Sequence, residues 1–350
     1  MKEKKYFHRV QKETSTRFWI NNPTFEQAKK AIEAGAIGCT TNPSYVYKLF
    51  SSREDYEYVL SIIDELIPNE KNNSVVASKV QRAMVSRLSS LFLPLYDGSN
   101  GKQGLVTIQG DPFYEDDFKN IIEDGIENRK LGKNIAVKIP VTIPGIEAIS
   151  YFVQQDIPTM ATEIMGLSQA VSICDAYQKA SEKSGKTPLF YVTHITGILD
   201  DHFKRVVAER GINLSSDALK FAGLSIAKRQ YTLMKERAYP GVMIGGGARK
   251  LEDFTEFVGG DLHITINWNG MAEVLIDKDL PVESRIEASF PESMIEELKG
   301  TLPDFSRAYD IDGMSPEDFY DYGGVELFRS SFMKGWQQLL DLIFERRGLK

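Results

Sequence analysis

The chain has 350 residues, of which 42% are hydrophobic and 26% charged, with a net charge of -7. These values describe a globular protein with a large core, and the acidic balance without any block of Lys or Arg argues against a nucleic-acid surface. Two cysteines, Cys39 and Cys174, make no disulfide framework and point to a reducing compartment. No apolar run reaches the about 18 residues of a membrane span, and the charged stretch from Met1 to Arg9 does not resemble a signal peptide, so a cytoplasmic location is expected.

Short apolar runs alternate with amphipathic stretches, the pattern of βα units. The first strand is Arg17 to Asn21; Thr24 then caps a helix that runs to Ala34 and stops at Gly35. The second strand is Gly38 to Asn42, followed by helical spacing over Tyr45 to Ile67 and again over Val75 to Leu91. A turn from Asp97 to Gly101 enters the third strand, Gly104 to Gln109, which leads into a helix from Tyr114 to Lys130. Strand four is Ile135 to Pro140 with a helix from Ile146 to Gln154, and strand five is Thr159 to Ile164 with a helix from Gly166 to Glu182. Strand six is Pro188 to Ile195, followed by a helix starting near Leu199 and another from Asp217 to Ala238. The last two pairs are Gly241 to Gly246 with Lys250 to Phe257, and Leu262 to Asn267 with Gly270 to Ile276. Eight such repeats in series favour a closed (β/α)8 TIM barrel over an open doubly wound sheet. Residues 1–350 then form one domain: a barrel over about 16–280, and C-terminal helices (Pro291 to Lys299, Ser315 to Tyr320, Gly324 to Arg347) over about 281–350.

Barrels of this kind work at the carboxyl ends of their strands. The sequence places Asn21, Thr41, Asn42, Gln109, Asp111, Lys138, Thr142, Thr162, Glu163, Thr193, His194, Arg249 and Asn267 there. Lys138 is the hardest of these to explain by folding, because it interrupts a hydrophobic strand. Strand alternation puts Ala136, Lys138 and Pro140 on one face. If that face points inward, the ammonium loses solvent, its pKa falls, and a neutral amine becomes available to attack a carbonyl. The alternatives are a lysine snorkelling from the outer face or one paired with a buried carboxylate. Thr40-Thr41-Asn42-Pro43-Ser44 reads either as an Asn-Pro turn or as hydroxyl and amide groups that orient a polyol. Gly245-Gly246-Gly247-Ala248-Arg249 opens a helix after strand seven, where backbone N–H groups and the Arg249 fork suit a phosphate. The four histidines show no metal-ligand spacing, and there is no dinucleotide or Walker-type loop, so neither metal nor cofactor is expected.

Gly38-Cys39-Thr40-Thr41-Asn42-Pro43-Ser44 resembles the transaldolase signature G-x-T-T-N-P-S, and Val137 to Gly145 resembles the family's lysine segment V-K-I-P-x-T-x-x-G. Looser likenesses at Thr162 with Gln169-Ala170, and at Val242-Met243 with Arg249, extend the match from about Thr16 to Ile343. The chain is identified as a divergent member of the transaldolase family. The resemblance implies a class I aldolase mechanism in which Lys138 forms a Schiff base with a ketose. The C3–C4 bond breaks, an aldose leaves, and the retained dihydroxyacetone unit attacks an acceptor aldehyde. It implies that Asn42 contacts the dihydroxyacetone unit and that Thr162 holds a water. Thr41, Ser44, Thr142, Thr193, Gly247, Arg249 and Asn267 would surround the sugar or sugar phosphate. A place in carbohydrate metabolism of the pentose phosphate type and a homo-oligomeric assembly are further expectations from the family, with neither nucleic acid nor membrane as partner.

Besides Thr193, which stands where the family has a serine on strand six, four positions depart from the family. Asn21 stands where the resemblance calls for the aspartate that acts as acid and base, and Gln109 stands where typical members have a glutamate. A glutamine there resembles the fructose-6-phosphate aldolase branch. Ile198 replaces a phosphate-binding arginine and Gly247 a serine. An amide does not take up a proton. The remaining candidate bases are Asp111, His194 and Glu163, the last ranked low because strict alternation after Thr162 turns it away from the barrel interior. Three readings follow: an active aldolase or transaldolase on a less phosphorylated sugar, a sugar-binding barrel without turnover, and another lyase or isomerase that uses the same iminium.

Overall fold

The computed structural model describes residues 5–349. Eight parallel strands close in chain order into a barrel. They are β1 Arg17–Asn21, β2 Gly38–Thr40, β3 Leu105–Gln109, β4 Ile135–Pro140, β5 Thr159–Thr162, β6 Phe190–Ile195, β7 Val242–Gly246 and β8 His263–Ile266. β1 pairs with both β2 and β8, so no strand edge stays open. The (β/α)8 barrel expected from the repeats is the fold found.

Period-two alternation builds the interior in layers. Trp19, Leu105, Met160, Tyr191 and Ile244 pack as an apolar floor. Two residues further along their strands come Asn21, Thr162, Thr193 and Gly246, so polarity changes abruptly from floor to mouth. Lys138 sits in register with Gln109 of β3 and Met160 of β5. The floor needs a glycine on β2: a Cβ at Gly38 would lie 2.6 Å from the Trp19 ring.

The helices follow local chemistry. Thr24 accepts from Gln27 N while the Gln27 side chain caps Thr24 N, and Gly35 ends the Phe25–Ala34 helix at φ 106. Thr24→Ala should cost about 1 kcal/mol, read as a lowered midpoint in urea with an unchanged slope. The Tyr45 to Ile67 stretch divides into Tyr45–Leu49 and Arg53–Leu66, because Ser52 turns extended and caps the second helix. The expected turn at Asp97 is still helical: the Asn73–Gly98 helix runs through Pro94. After β7 only one helical turn forms, Glu252–Thr255, and Ser315 to Tyr320 shrinks to Pro316–Asp318. Two helices lie outside the expectation. Tyr6–Glu13 buries Tyr6, Phe7 and Val10, with Phe7 stacked on Phe18 at 4.0 Å, and Pro303–Tyr309 buries Phe305 and Ala308.

Strand ends also differ. β2 stops at Thr40, since the Thr41 side chain donates to Thr107 O and Asn42 begins the turn. β5 stops at Thr162 instead of Ile164 because Glu163 takes a left-handed φ of 63. The C-terminal helix, Gly323–Gly348, crosses the barrel mouth and buries Phe328, Phe332 and Trp336. Gly335 permits this close approach, for a Cβ there would lie 2.7 Å from the Ser44 Cβ. Arg346 on Asp64, and Arg347 on Asn73, tie the far end of the helix down. Among the described residues no helix is long and apolar enough to cross a membrane.

Candidate active site

At the carboxyl ends of the strands lies a cavity of ≈ 380 Å³ with Lys138 in its wall. The Lys138 side chain points inward, as alternation requires, and is buried. Nζ donates to Thr41 O at 3.3 Å, and no carboxylate among the described residues forms an ion pair with it. The Phe332 ring from the C-terminal helix covers it at 5.9 Å. Burial lowers its pKa from 10.5 to about 8; Glu163 opposes that shift and Lys48 adds to it. The snorkelling and ion-paired alternatives for this lysine are both excluded by its position.

Of the expected site residues, Asn21, Asn42, Ser44, Thr162, Thr193, Gly247, Arg249 and Asn267 also line the cavity. Asn21 is held at both ends of its amide: Thr40 donates to its Oδ1 at 3.0 Å, and its Nδ2 donates to Asn267 Oδ1 at 2.9 Å. These two bonds fix the orientation of its amide at the cavity wall. Asn42 Oδ1 accepts from Ser44 N, and Ser44 Oγ donates to Ser331 O, joining the β2 loop to the C-terminal helix. Thr41 and Thr142 belong to the frame. Thr41 fixes β2 to β3, and Thr142 caps the helix after β4 by accepting from Gly145 N at 3.1 Å.

Two backbone N–H groups at the corner expected to cradle a phosphate are already taken. Asp253 Oδ2 accepts from both Arg249 N and Lys250 N. Gly247 adopts φ +66, and a Cβ there would meet Ile195 Cγ2 at 2.4 Å, so a serine does not fit. The Arg249 side chain lines the cavity and pairs with Asp201 at 3.2 Å. Side-chain cations stand beside Gly247 and Ala248 in the cavity wall. Lys48, solvent-exposed at the cavity rim, has its pKa lowered by the crowding of the wall and by the Arg249 charge. Lys334 lines the same cavity.

The candidate bases sort differently from expectation. His194 faces away from the cavity, with Nδ1 2.9 Å from Gln230 Oε1, and burial lowers its pKa to about 4. Asp111 caps the turn after β3, accepting from Phe113 N, and lies outside the cavity wall. Glu163 turns toward Gln109 and Lys138, behind the cavity wall and not on it. Its left-handed backbone breaks the alternation, and Gln109 Nε2 donates to its Oε1 at 2.9 Å. Burial raises its pKa, and Lys138, Arg329 and Glu115 act on it. Gln109 therefore stands beside the lysine as the tether of a carboxylate. Glu115 and Arg329 join this cluster from the turn after β3 and from the C-terminal helix, 3.9 Å apart. Neither was apparent from the strands, since neither lies on one.

A model of one family, Transaldolase/Fructose-6-phosphate aldolase, matches residues 18–339. The chain belongs to the transaldolase/fructose-6-phosphate aldolase family. Transaldolase of Mycobacterium leprae (strain Br4923) is 24% identical over 327 residues, covering 87% of this chain and 85% of that one. Transaldolase of Mycobacterium ulcerans (strain Agy99) is 23% identical over 328 residues, covering 87% and 86%. A crystal structure of 2,3-dimethylmalate lyase, of the PEP mutase/isocitrate lyase superfamily, aligns over 93% of this chain and 97% of its own. At 12% identity and a TM-score of 0.30, that likeness is too slight to bear on fold or function. Within the family this chain is a divergent member, with amides at 21 and 109 and its buried carboxylates at 115 and 163.

Proposed function

We propose that the protein is a Schiff-base aldolase of the transaldolase type that takes a dihydroxyacetone unit from a ketose and passes it to an aldehyde. The observation that carries this reading is Lys138: an inward-facing amine without a carboxylate partner, held near a pKa of about 8 at the wall of a sugar-sized cavity. At neutral pH roughly a tenth of such an amine is neutral, against less than a thousandth for an ordinary lysine. The neutral amine adds to the ketose C2, and loss of water gives the iminium. When C3–C4 breaks, the electron pair enters the iminium as an enamine and the C4 fragment leaves as an aldehyde. Asn21, Asn42, Asn267 and Thr193 offer the donors and acceptors that a polyol chain needs. Lys48 and Arg249 supply the charge for a terminal phosphate.

The test is borohydride reduction in the presence of a ketose, followed by peptide mass spectrometry. Fructose 6-phosphate should leave a reduced adduct on Lys138, and it should label faster than fructose if Lys48 and Arg249 receive the phosphate. Equal labelling would remove the phosphate from the substrate, and no labelling by fructose 6-phosphate, fructose or dihydroxyacetone would sink the Schiff-base reading.

A further inference from the structure

We propose that Glu163 and Glu115 hold one proton between them, and that this pair is the proton carrier for chemistry at Lys138. The proposal rests on the Schiff-base reading of Lys138 and adds the group that moves the proton. A neutral amide occupies each of the two strand positions, 21 and 109, where a carboxylate would be expected. Proton transfer therefore needs another source.

The geometry supplies one. The φ of 63 at Glu163 lets two consecutive residues, Thr162 and Glu163, serve the interior. Oε1 of Glu163 is held by Gln109 Nε2 at 2.9 Å. Its Oε2, and both carboxyl oxygens of Glu115, are buried without a hydrogen-bond donor among the described residues. Three buried acceptor atoms without donors are costly as two carboxylates. One shared proton removes the conflict, because two neighbouring carboxyl groups do not both ionise. The two side chains are placed to share that hydrogen bond: burial raises both pKa values, the Glu163 charge raises that of Glu115 further, and the hydrogen bond from Glu115 favours the Glu163 carboxylate. The charged groups that face the pair are Lys138 from β4, Arg329 from the C-terminal helix, and Asp116 next to Glu115. Gln109 Oε1 and Thr162 Oγ1 also lack partners, and Thr162 lines the cavity. A water bound to these oxygens would connect Glu163 to a ligand on Lys138.

The step balances as follows. As C3–C4 breaks, the C4 hydroxyl proton passes through the water to the Glu163 carboxylate, and the electron pair goes to the iminium. When the acceptor adds, that proton returns to the new alkoxide. With dihydroxyacetone alone, the same carboxylate takes a proton from the carbon beside the iminium and returns one from solvent.

Two readouts on the full chain test this. Borohydride labelling of Lys138 with dihydroxyacetone reports the iminium, and deuterium uptake into dihydroxyacetone, followed by proton NMR across pH, reports the carrier. Glu163→Gln should cut deuterium uptake by about 100-fold or more. It should label Lys138 at least as fast as the parent protein, because Glu163 holds the lysine pKa up. Glu115→Leu removes the donor that favours the Glu163 carboxylate, so the rising limb of the uptake profile should move to higher pH. Glu163→Gln with undiminished uptake would overturn the proposal, as would an unmoved profile in Glu115→Leu. A folded Glu163→Gln protein that no longer labels would assign Glu163 to activating the lysine and also overturn it. A parent protein that labels without uptake removes the carrier and leaves the Schiff base. One that does not label removes both.

Discussion

Lys138→Met is expected to abolish borohydride labelling and every carbon–carbon bond activity while making the protein more stable. Lys48 and Lys334 line the same cavity, so peptide mass spectrometry must show that neither takes up the label in the variant. The gain in stability follows from linkage. The pKa of Lys138 falls from 10.5 in the unfolded chain to about 8 in the fold, so folding opposes the charged form. That penalty is fully present below pH 8 and disappears as pH rises from 8 to 10.5. It amounts to about 3 kcal/mol at neutral pH. Methionine has a similar length and no charge, so the variant should recover about 2 kcal/mol, or ~3 °C in Tm for a chain of this size. Thermal melts of both proteins at pH 7 and pH 10 check the sign: the difference should shrink at the higher pH. A variant less stable than the parent at pH 7 would mean that the ammonium is held by favourable contacts.

Gly335→Val should have the second largest effect, and it acts from outside the barrel. The added Cβ would lie 2.7 Å from Ser44 Cβ and 2.9 Å from Ser44 Oγ, on the loop that carries Asn42. Overpacking of this kind costs about 2 kcal/mol. The C-terminal helix must lift, and Phe332 lifts with it. Burial is the largest cause of the low Lys138 pKa, so admitting water raises that pKa. Each unit of rise lowers the neutral fraction at pH 7, and hence the labelling rate, by roughly tenfold. The rate should recover at higher pH. Ser44→Gly in the same chain removes two of the atoms in conflict and should return part of both losses, which a double-mutant cycle would measure. Normal labelling at pH 7 in Gly335→Val would show that the helix does not set the lysine environment.

Much of this was legible in the sequence, and the exceptions have physical causes. β4 reads correctly because six buried residues in a row allow only one outlier, and period two fixes which way Lys138 points. The G-x-T-T-N-P-S and lysine segments mark the carboxyl ends of β2 and β4 before any fold is known. Glu163 was misplaced because alternation was extended one residue past the end of the strand, into a non-glycine left-handed residue that local sequence does not announce. A signal was present: a carboxylate enclosed in Ala161-Thr162-Glu163-Ile164-Met165 has no reason to be there unless something buried receives it. Glu115 and Arg329 were beyond reach, since they meet only after the turn following β3 and the C-terminal helix have both docked. The phosphate corner carries a feature that local sequence does not announce. The glycine run is present, but Asp253, four residues after Arg249, takes two of the N–H groups at the turn that follows it.

The helix over the mouth also sets an order of events during synthesis. β4 leaves the ribosome long before residues 323–348, and the pairing of the eight strands includes none of them. The Phe332 ring over Lys138 therefore comes from an element made well after the lysine strand, so the enclosure that lowers the lysine pKa is completed only once the C-terminal helix has docked.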